Sequence, residues 1–134
     1  MTSSWDAAGE HLGCHARLTP DKPAVVMHPS GLVRTYREID DASLRLAHAL
    51  RSRGVGVGDH AAVLLDNQPE FYDVVWAVQR LGGYVTPINW HLAADEAGYI
   101  VSDSDATTLI ATASLGGVVA QMDHHLAAVT TRIS

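Results

Sequence analysis

Cysteine, lysine and long hydrophobic runs are scarce in this sequence of 134 residues. The one cysteine, Cys14, cannot form an internal disulfide, so a disulfide scaffold is excluded. Together with the lack of a signal-peptide pattern after Met1, the single cysteine favours a reducing cytoplasm. No apolar run approaches the roughly 18 residues that span a bilayer, which excludes a transmembrane helix.

Positive charge is also in short supply. Lysine and arginine total 9 against 15 aspartates and glutamates, for a formal net charge of −6. The charges are scattered, so we expect no nucleic-acid partner. The apolar fraction of 47% predicts one globular domain, which at this length buries about two thirds of its unfolded surface.

Two hydrophobic periods alternate along the chain and predict an α/β fold of mostly parallel βαβ units. Ala24–His28 and Leu32–Tyr36 form a predicted hairpin around Pro29, Ser30 and Gly31. Thr35 and Glu38 have the spacing of a capping box, which opens a helix that ends at Gly54. Further strands are predicted at 60–65, 84–88, 107–112 and 128–133, and further helices at 67–81, 95–101 and 117–126. Asn67 is the predicted cap of the helix at 67–81, with Pro69 in its first turn and Glu70 as its partner.

The segment from Gly54 to Asp59 looks superficially like a phosphate loop, since it contains three glycines. A dinucleotide fingerprint has a strand before the glycines and a helix after them, which places the helix N-terminus at the phosphates. Here a predicted helix precedes and a predicted strand follows. We therefore interpret Gly54 as a helix cap and Gly58 with Asp59 as a turn.

Two groups of histidines have spacings that suggest metal binding as a hypothesis. His11, Cys14 and His15 are at i, i+3 and i+4, but without a fourth ligand the alternative is an N-terminal helix, ending near Leu18, that packs one side on the body. His124 and His125 are adjacent, so on a helix we expect them to point in different directions. No metal ligand is assigned.

No catalytic or cofactor-binding residue is assigned either. The acidic candidates lie on predicted helix surfaces or turns, where solvation or capping explains them: Asp40, Asp41, Asp103 and Asp105. No Gly-x-Ser-x-Gly elbow occurs. Trp90 and His91 follow a predicted parallel strand, where ligands bind in such folds. Both a direct role for this pair and a covering of the sheet edge stay open.

Between Thr19 and Ala113 the sequence resembles the start of the AMP-forming acyl-CoA synthetases, members of the adenylate-forming superfamily. Thr35-Tyr36-Arg37-Glu38-Ile39 is similar to the first core motif of that family, with Arg34 in place of its leading leucine. Leu81 to Asn89 is similar to the second, and the stretch from Asn89 to Leu92 resembles the actinobacterial fatty-acid ligases. Ala93 departs from the family, which usually has a serine or threonine helix cap there.

The resemblance implies the reaction of a fatty-acid–CoA ligase, which uses ATP, magnesium and CoA and proceeds through an acyl-adenylate. The phosphate loop, the adenine-side segment, the ribose-binding aspartate and the C-terminal lysine of that family have no counterpart here. We therefore expect residues 1–18 to be an N-terminal segment with helical character. Residues 19–134 are expected to be the front of the large domain, truncated before the phosphate loop. Alone, this chain is expected to be an inactive scaffold that binds no cofactor.

A second hypothesis is a stand-alone, non-catalytic module derived from such a ligase. It would cover its exposed sheet edge and apolar faces by dimerising or by binding a partner. Fatty acid, ATP and CoA are expected as partners of the full-length enzyme only. The expected location is cytoplasmic, with peripheral membrane contact of the full-length enzyme as a further expectation.

Overall fold

The computed structural model describes residues 11–134, and they form two sheets with helices around them. The helices are α1 (Leu12–Leu18), α2 (Tyr36–Ser52), α3 (Glu70–Arg80), α4 (Ala94–Asp103) and α5 (Gly116–Gln121). The strands are β1 (Pro23–Val26), β2 (Val33–Thr35), β3 (His60–Leu64), β4 (Tyr84–Pro87), β5 (Thr108–Ala111) and β6 (Thr131–Ile133). Two 3-10 turns, Ala113–Leu115 and Asp123–His125, flank α5.

The larger sheet has four parallel strands in the order β4-β3-β5-β6. The central strand β3 is almost entirely apolar, with Ala61 to Leu64 buried, as expected for a strand covered on both faces. β1 and β2 form the separate antiparallel hairpin, whose turn contains a cis peptide bond between His28 and Pro29. The predicted α/β architecture with a front hairpin is thus confirmed.

Each face of the parallel sheet has its own hydrophobic core, because alternate residues of β3 point to opposite faces. Ala61 and Val63 pack with the buried residues of α2 and α3. Ala62 and Leu64 pack instead with α4 and with Met122 and Leu126, which lie on either side of the second 3-10 turn. The sheet is therefore the middle layer of three.

Helix α2 begins at the capping threonine that the sequence predicts. The Oγ1 atom of Thr35 accepts a hydrogen bond from the Glu38 N–H at 3.3 Å. The reciprocal half of the capping box does not form, because the Glu38 carboxylate lies beside Arg34, with 3.6 Å between Oε2 and Nε. Gly54 follows the helix with φ of 90°, a left-handed conformation that favours glycine, as predicted.

Partly buried ion pairs connect the hairpin and α2 to α3. Arg34 of β2 donates from Nη2 to both carboxylate oxygens of Asp73, at 2.9 and 3.0 Å. Burial raises the pKa of Asp73, and the hydrogen bonds and charge of Arg34 oppose that rise. Arg80, at the end of α3, pairs with Asp40 and also donates to the Ser43 hydroxyl at 3.2 Å. Asp40 thus has a structural partner across the helix interface.

Three local predictions are wrong. Helix α3 begins at Glu70, with Pro69 as its N-cap, so Asn67 lies outside the helix and does not cap it. The segment predicted as one helix over 117–126 is instead α5, which ends at Gln121, followed by the 3-10 turn at Asp123–His125. The last strand is shorter than predicted, at Thr131–Ile133.

The predicted N-terminal helix is confirmed over Leu12–Leu18, whereas residues 1–10 of that segment lie outside the described residues. Among residues 11–134, no helix has both the length and the apolar composition needed to cross a membrane.

Candidate functional site

The order of the parallel strands creates a crevice at one end of the sheet. From β3 the chain crosses to β4 on one side, and from β5 it goes to β6 on the other. The connections after β3 and β5 therefore leave these neighbouring strands in opposite directions. A topological switch point of this kind, at the carboxyl ends of the strands, is where open α/β sheets bind ligands.

A polar network joins the two connections at this switch point. Gln68, after β3, donates from Nε2 to Asp66 Oδ1 and to Thr112 Oγ1, both at 2.6 Å. Thr112, directly after β5, donates its hydroxyl to Asp66 Oδ1 at 3.3 Å, and Ser114 donates to Asp66 Oδ2 at 3.5 Å. The sequence analysis missed this network, although polar residues directly after apolar strands were a usable signal.

The crevice beside this network has a volume of about 580 Å³, within the range that holds small molecules. Its floor comes from the ends of β3 and β4, and the end of the hairpin closes one side. The residues that line it are Met27, His28, Leu65, Asp66, Asn67, Gln68, Phe71, Tyr72, Pro87, Ile88, Asn89, Trp90 and His91. The lining thus combines aromatic and apolar side chains with a few polar side chains.

The charge of this crevice decides which ligands it fits. Within residues 11–134, its lining includes the Asp66 carboxylate but neither lysine nor arginine. A triphosphate would meet this carboxylate without an offsetting cation, so the lining does not fit such a group. The side chains of Gln68 and Thr112 are engaged with Asp66 and therefore orient the connections.

Trp90 and His91 line the crevice, as their place after a strand suggested. The Asn89 Oδ1 atom accepts a hydrogen bond from the His91 N–H at 3.0 Å, which fixes a tight turn after β4. The two rings lie 3.7 Å apart between centroids, and Trp90 also packs against the core on the α4 face. Trp90 is therefore partly buried against this core, and both a covering of the sheet edge and a direct role in ligand binding stay predictions.

The glycine-containing turn at residues 54–59 lies at the opposite end of β3. Two of its glycine N–H groups have partners within the protein, and the first is that of Gly56, which donates to Asp59 Oδ2 at 2.7 Å. Gly58 has φ of 82° and donates its N–H to the Gly82 carbonyl at 2.9 Å. The helix–turn–strand order predicted for this segment is confirmed.

The three N-terminal metal candidates contact different parts of the protein. The Nδ1 atom of His11 accepts a hydrogen bond from the Gly13 N–H at 3.0 Å and thereby caps α1. Cys14 is buried, and the ring of His15 stacks on Tyr36 at 5.1 Å between centroids. These contacts match the predicted helix that packs one side on the body.

Two of the remaining acidic candidates lie at the end of α4 and just beyond it. Asp103 is its last residue and is exposed, and Asp105 follows with φ of 59°. Aspartate tolerates this left-handed conformation better than most residues do. Asp41 is exposed on α2. Each position is consistent with the predicted surface or turn location.

The expectation that His124 and His125 point in different directions is wrong. They lie in a 3-10 turn instead of a regular α-helix, and their rings are 4.1 Å apart between centroids. Both Nε2 atoms approach Asp95 Oδ1, at 3.3 Å from His124 and 3.6 Å from His125. The sequence separates Asp95 from the histidines, so only the fold brings these groups together.

Comparison with known proteins gives consistent matches over most of the chain. The profile of the family described as AMP-binding enzyme matches residues 14–133. The fatty acid–[acyl-carrier-protein] ligase ScoC of Streptomyces coeruleorubidus is 33% identical over 108 residues, which cover 81% of this chain and 20% of that protein. The long-chain-fatty-acid–CoA ligase FadD13 of Mycobacterium tuberculosis is 32% identical over 102 residues, covering 76% and 20% respectively.

A solved structure extends the match to the fold. The inhibitor-bound crystal structure of the N-terminal domain of FACL13 from Mycobacterium tuberculosis has a TM-score of 0.82 with 30% sequence identity. The superposition covers 91% of this chain and 31% of that one. This chain thus spans about a fifth of the length of the curated relatives named above.

Proposed function

The chain belongs to the AMP-binding enzyme family, and from this premise we propose that it is the N-terminal part of a fatty-acid–CoA ligase. The observation that carries the proposal is the match over residues 14–133 to ligases of which it spans about a fifth. Residues 19–134 would form the front of the large domain. A location in the cytoplasm, with peripheral membrane contact, belongs to the same proposal.

The full-length enzyme would join a fatty acid to CoA in two steps. The fatty-acid carboxylate attacks the α-phosphorus of ATP, which gives an acyl-adenylate and releases pyrophosphate. The thiol of CoA then attacks the acyl carbon and releases AMP. ScoC is named as a ligase for an acyl carrier protein. The second step has the same chemistry with the thiol of a carrier protein as with the thiol of CoA. For this chain we propose CoA.

The isolated chain would act as a scaffold for this reaction and would not perform it. Its crevice at the switch point presents the Asp66 carboxylate, aromatic groups and amides, which do not fit a triphosphate. The polar groups around Asp66 hydrogen-bond to one another and join the ends of β3 and β5. Their proposed role is to hold these two connections in place for groups supplied elsewhere in the full-length enzyme.

The test of the scaffold role is ATP–pyrophosphate exchange by the purified chain with medium-chain and long-chain fatty acids. We expect exchange equal to the protein-free blank, with the full-length FadD13 ligase as the positive control. Exchange above the blank would overturn the proposed inactivity. A coding sequence beyond residue 134 without a Ser/Thr/Gly-rich phosphate loop would overturn the assignment to the full-length ligase.

The open edge of the sheet favours a second candidate, a non-catalytic module that dimerises. Within residues 11–134, β6 pairs with β5 on one side and with no other strand. A concavity of about 310 Å³ beside it is lined partly by Leu109, Val119 and Ile133. Light scattering separates the two candidates, because a dimer in solution supports the module and a monomer without self-association contradicts it.

A further inference from the structure

Asp95, His124 and His125 form a cluster on the α4 face, and none of the three lines the crevice. Asp95 is the second residue of α4, and the two histidines end the 3-10 turn that precedes Leu126. One ligand atom from each residue lies within 4.8 Å of the others. In the part of the chain that the structure describes, this is the one such cluster of three potential metal ligands.

The two distances that join Asp95 to the histidines suit a tetrahedral ion. Zinc bonds of about 2.0–2.1 Å to nitrogen and oxygen place two tetrahedral ligand atoms roughly 3.3–3.4 Å apart. The Asp95 Oδ1 atom lies 3.3 Å from His124 Nε2 and 3.6 Å from His125 Nε2. Both separations are therefore close to the edge of a zinc tetrahedron before any movement.

The Nε2 atom of His125 supplies an independent observation. It is buried and has no hydrogen-bond partner, which is a costly state for a polar atom. The same imidazole packs on Gly98 of α4, where an added Cβ would lie 2.4 Å from His125 Cδ2. The absence of a side chain at Gly98 thus lets the ring lie against the helix with Nε2 toward Asp95.

We infer that Asp95, His124 and His125 bind a zinc ion. Two imidazoles and one carboxylate are the donor set of known three-ligand zinc sites, which leave a fourth position open. Magnesium prefers oxygen ligands and would not select the histidines. Asp95 and His124 are exposed and form the solvent side of the site, while His125 forms its inner side.

The ion would connect two segments that share few other polar contacts. The chain between β5 and β6 runs through α5 and the histidine turn, and the site would join that turn to the beginning of α4. Because an ion that binds the folded state alone stabilises it, zinc would hold this connection and, through it, the edge strand β6.

The test is zinc titration of the tag-free chain by calorimetry, with magnesium as the second ion. We expect one zinc per chain and no heat from magnesium. Asp95→Ala and His124→Ala remove exposed ligands, and each should weaken zinc binding by about tenfold or more, since even losing an outer-shell partner costs about 10–100-fold. His48→Ala removes an exposed histidine of α2 and should leave the affinity unchanged.

A fourth variant tests the packing of His125 without removing a ligand. Gly98→Ala places its Cβ against the ring and should weaken zinc binding, while circular dichroism confirms that the helices remain. Zinc should also raise the melting temperature of the wild type but not of Asp95→Ala. The inference is overturned if the wild type binds no zinc. It is also overturned if Asp95→Ala and His124→Ala bind zinc with the affinity of the wild type.

Discussion

The two faces of the parallel sheet are held together in different ways. On the first face, α2 with 17 residues and α3 with 11 residues pack against each other. Partly buried ion pairs join α3 to α2, through Arg80 and Asp40, and to the hairpin, through Asp73 and Arg34. On the second face, α4 with 10 residues is followed by the six residues of α5 and a 3-10 turn. Its ion pairs, such as that of Arg132 with Asp123, are exposed.

The two faces therefore depend on different kinds of contact for their stability. A buried charge that loses its partner is strongly destabilising, whereas an exposed pair contributes little. The first face is therefore closed by specific contacts within the chain. The second face relies mainly on apolar anchors such as Met122 and Leu126, both almost fully buried.

The largest expected effect comes from breaking the ion pair of the first face. Arg34→Met leaves the buried Asp73 carboxylate unpaired and should lower the free energy of unfolding by about 3–5 kcal/mol. The matched control is Arg132→Met on the second face, which removes an exposed pair and should cost less than about 1 kcal/mol. Urea unfolding measures both, and equal losses would contradict the contrast between the faces.

A pair of leucine substitutions compares the two cores directly. Leu50 of α2 and Leu126 after the histidine turn are 0% and 2% exposed. Leucine-to-alanine substitutions in cores cost about 2–5 kcal/mol, depending on how far the surroundings collapse. We expect Leu50→Ala at the upper end, and Leu126→Ala at the lower end because short turns relax more easily than long helices. A larger loss in Leu126→Ala would reverse this ranking.

The helix cap of the second face can be improved. Ala93 is the N-cap of α4 and provides no side-chain hydrogen bond, although the Glu96 carboxylate accepts from its N–H at 3.1 Å. Ala93→Ser supplies the missing acceptor and should raise stability by about 1 kcal/mol. Thermal unfolding measures the gain, and Ala94→Ser, one residue into the helix, is the control that should give none.

The smallest effect concerns the pH dependence contributed by Asp73. Burial raises the pKa of Asp73 in the folded state above the ordinary value of 3.8. At a pH between the ordinary pKa and the raised pKa, the folded protein therefore binds more protons than the unfolded chain. Stability therefore falls as pH rises through the window just above 3.8. Relative to Asp73→Asn, the wild type should lose stability across this window in urea titrations. A relative gain would mean that Arg34 outweighs burial.

Regular elements were predictable because their signals are local. The helix that became α3, the cap at Thr35 and the apolar run of β3 each follow from a short pattern, and the structure contains all three. The helix predicted over 117–126 ends early, at Gln121, and the 3-10 turn that follows lies between Met122 and Leu126, whose burial in the core the local sequence does not reveal. Asn67 failed as a cap because Pro69 starts the helix later.

The site residues were harder to predict because their contacts are distant in sequence. Asp66 meets Thr112 across 46 positions, and Arg34 meets Asp73 across 39. None of these residues belongs to a motif that indicates its partner. Predicting either pair therefore requires knowledge of how the strands and helices are arranged. His124 and His125 were seen as adjacent histidines, but their common orientation depends on a 3-10 turn that periodicity does not reveal.

The strand order also sets the sequence in which the sheet can assemble on the ribosome. The central strand β3 leaves first, β4 joins one side of it, and β5 and β6 add later to the other. Helices α2 and α3 and strands β3 and β4 have all emerged once Pro87 has left the ribosome, whereas Leu126 of the second face follows after a further delay of roughly 2–8 s at 5–20 residues per second. Until β5 emerges, one side of β3 is without its neighbour and the core of the first face lacks Ile110. The face whose helices are joined by ion pairs is thus also the face whose helices are synthesised first.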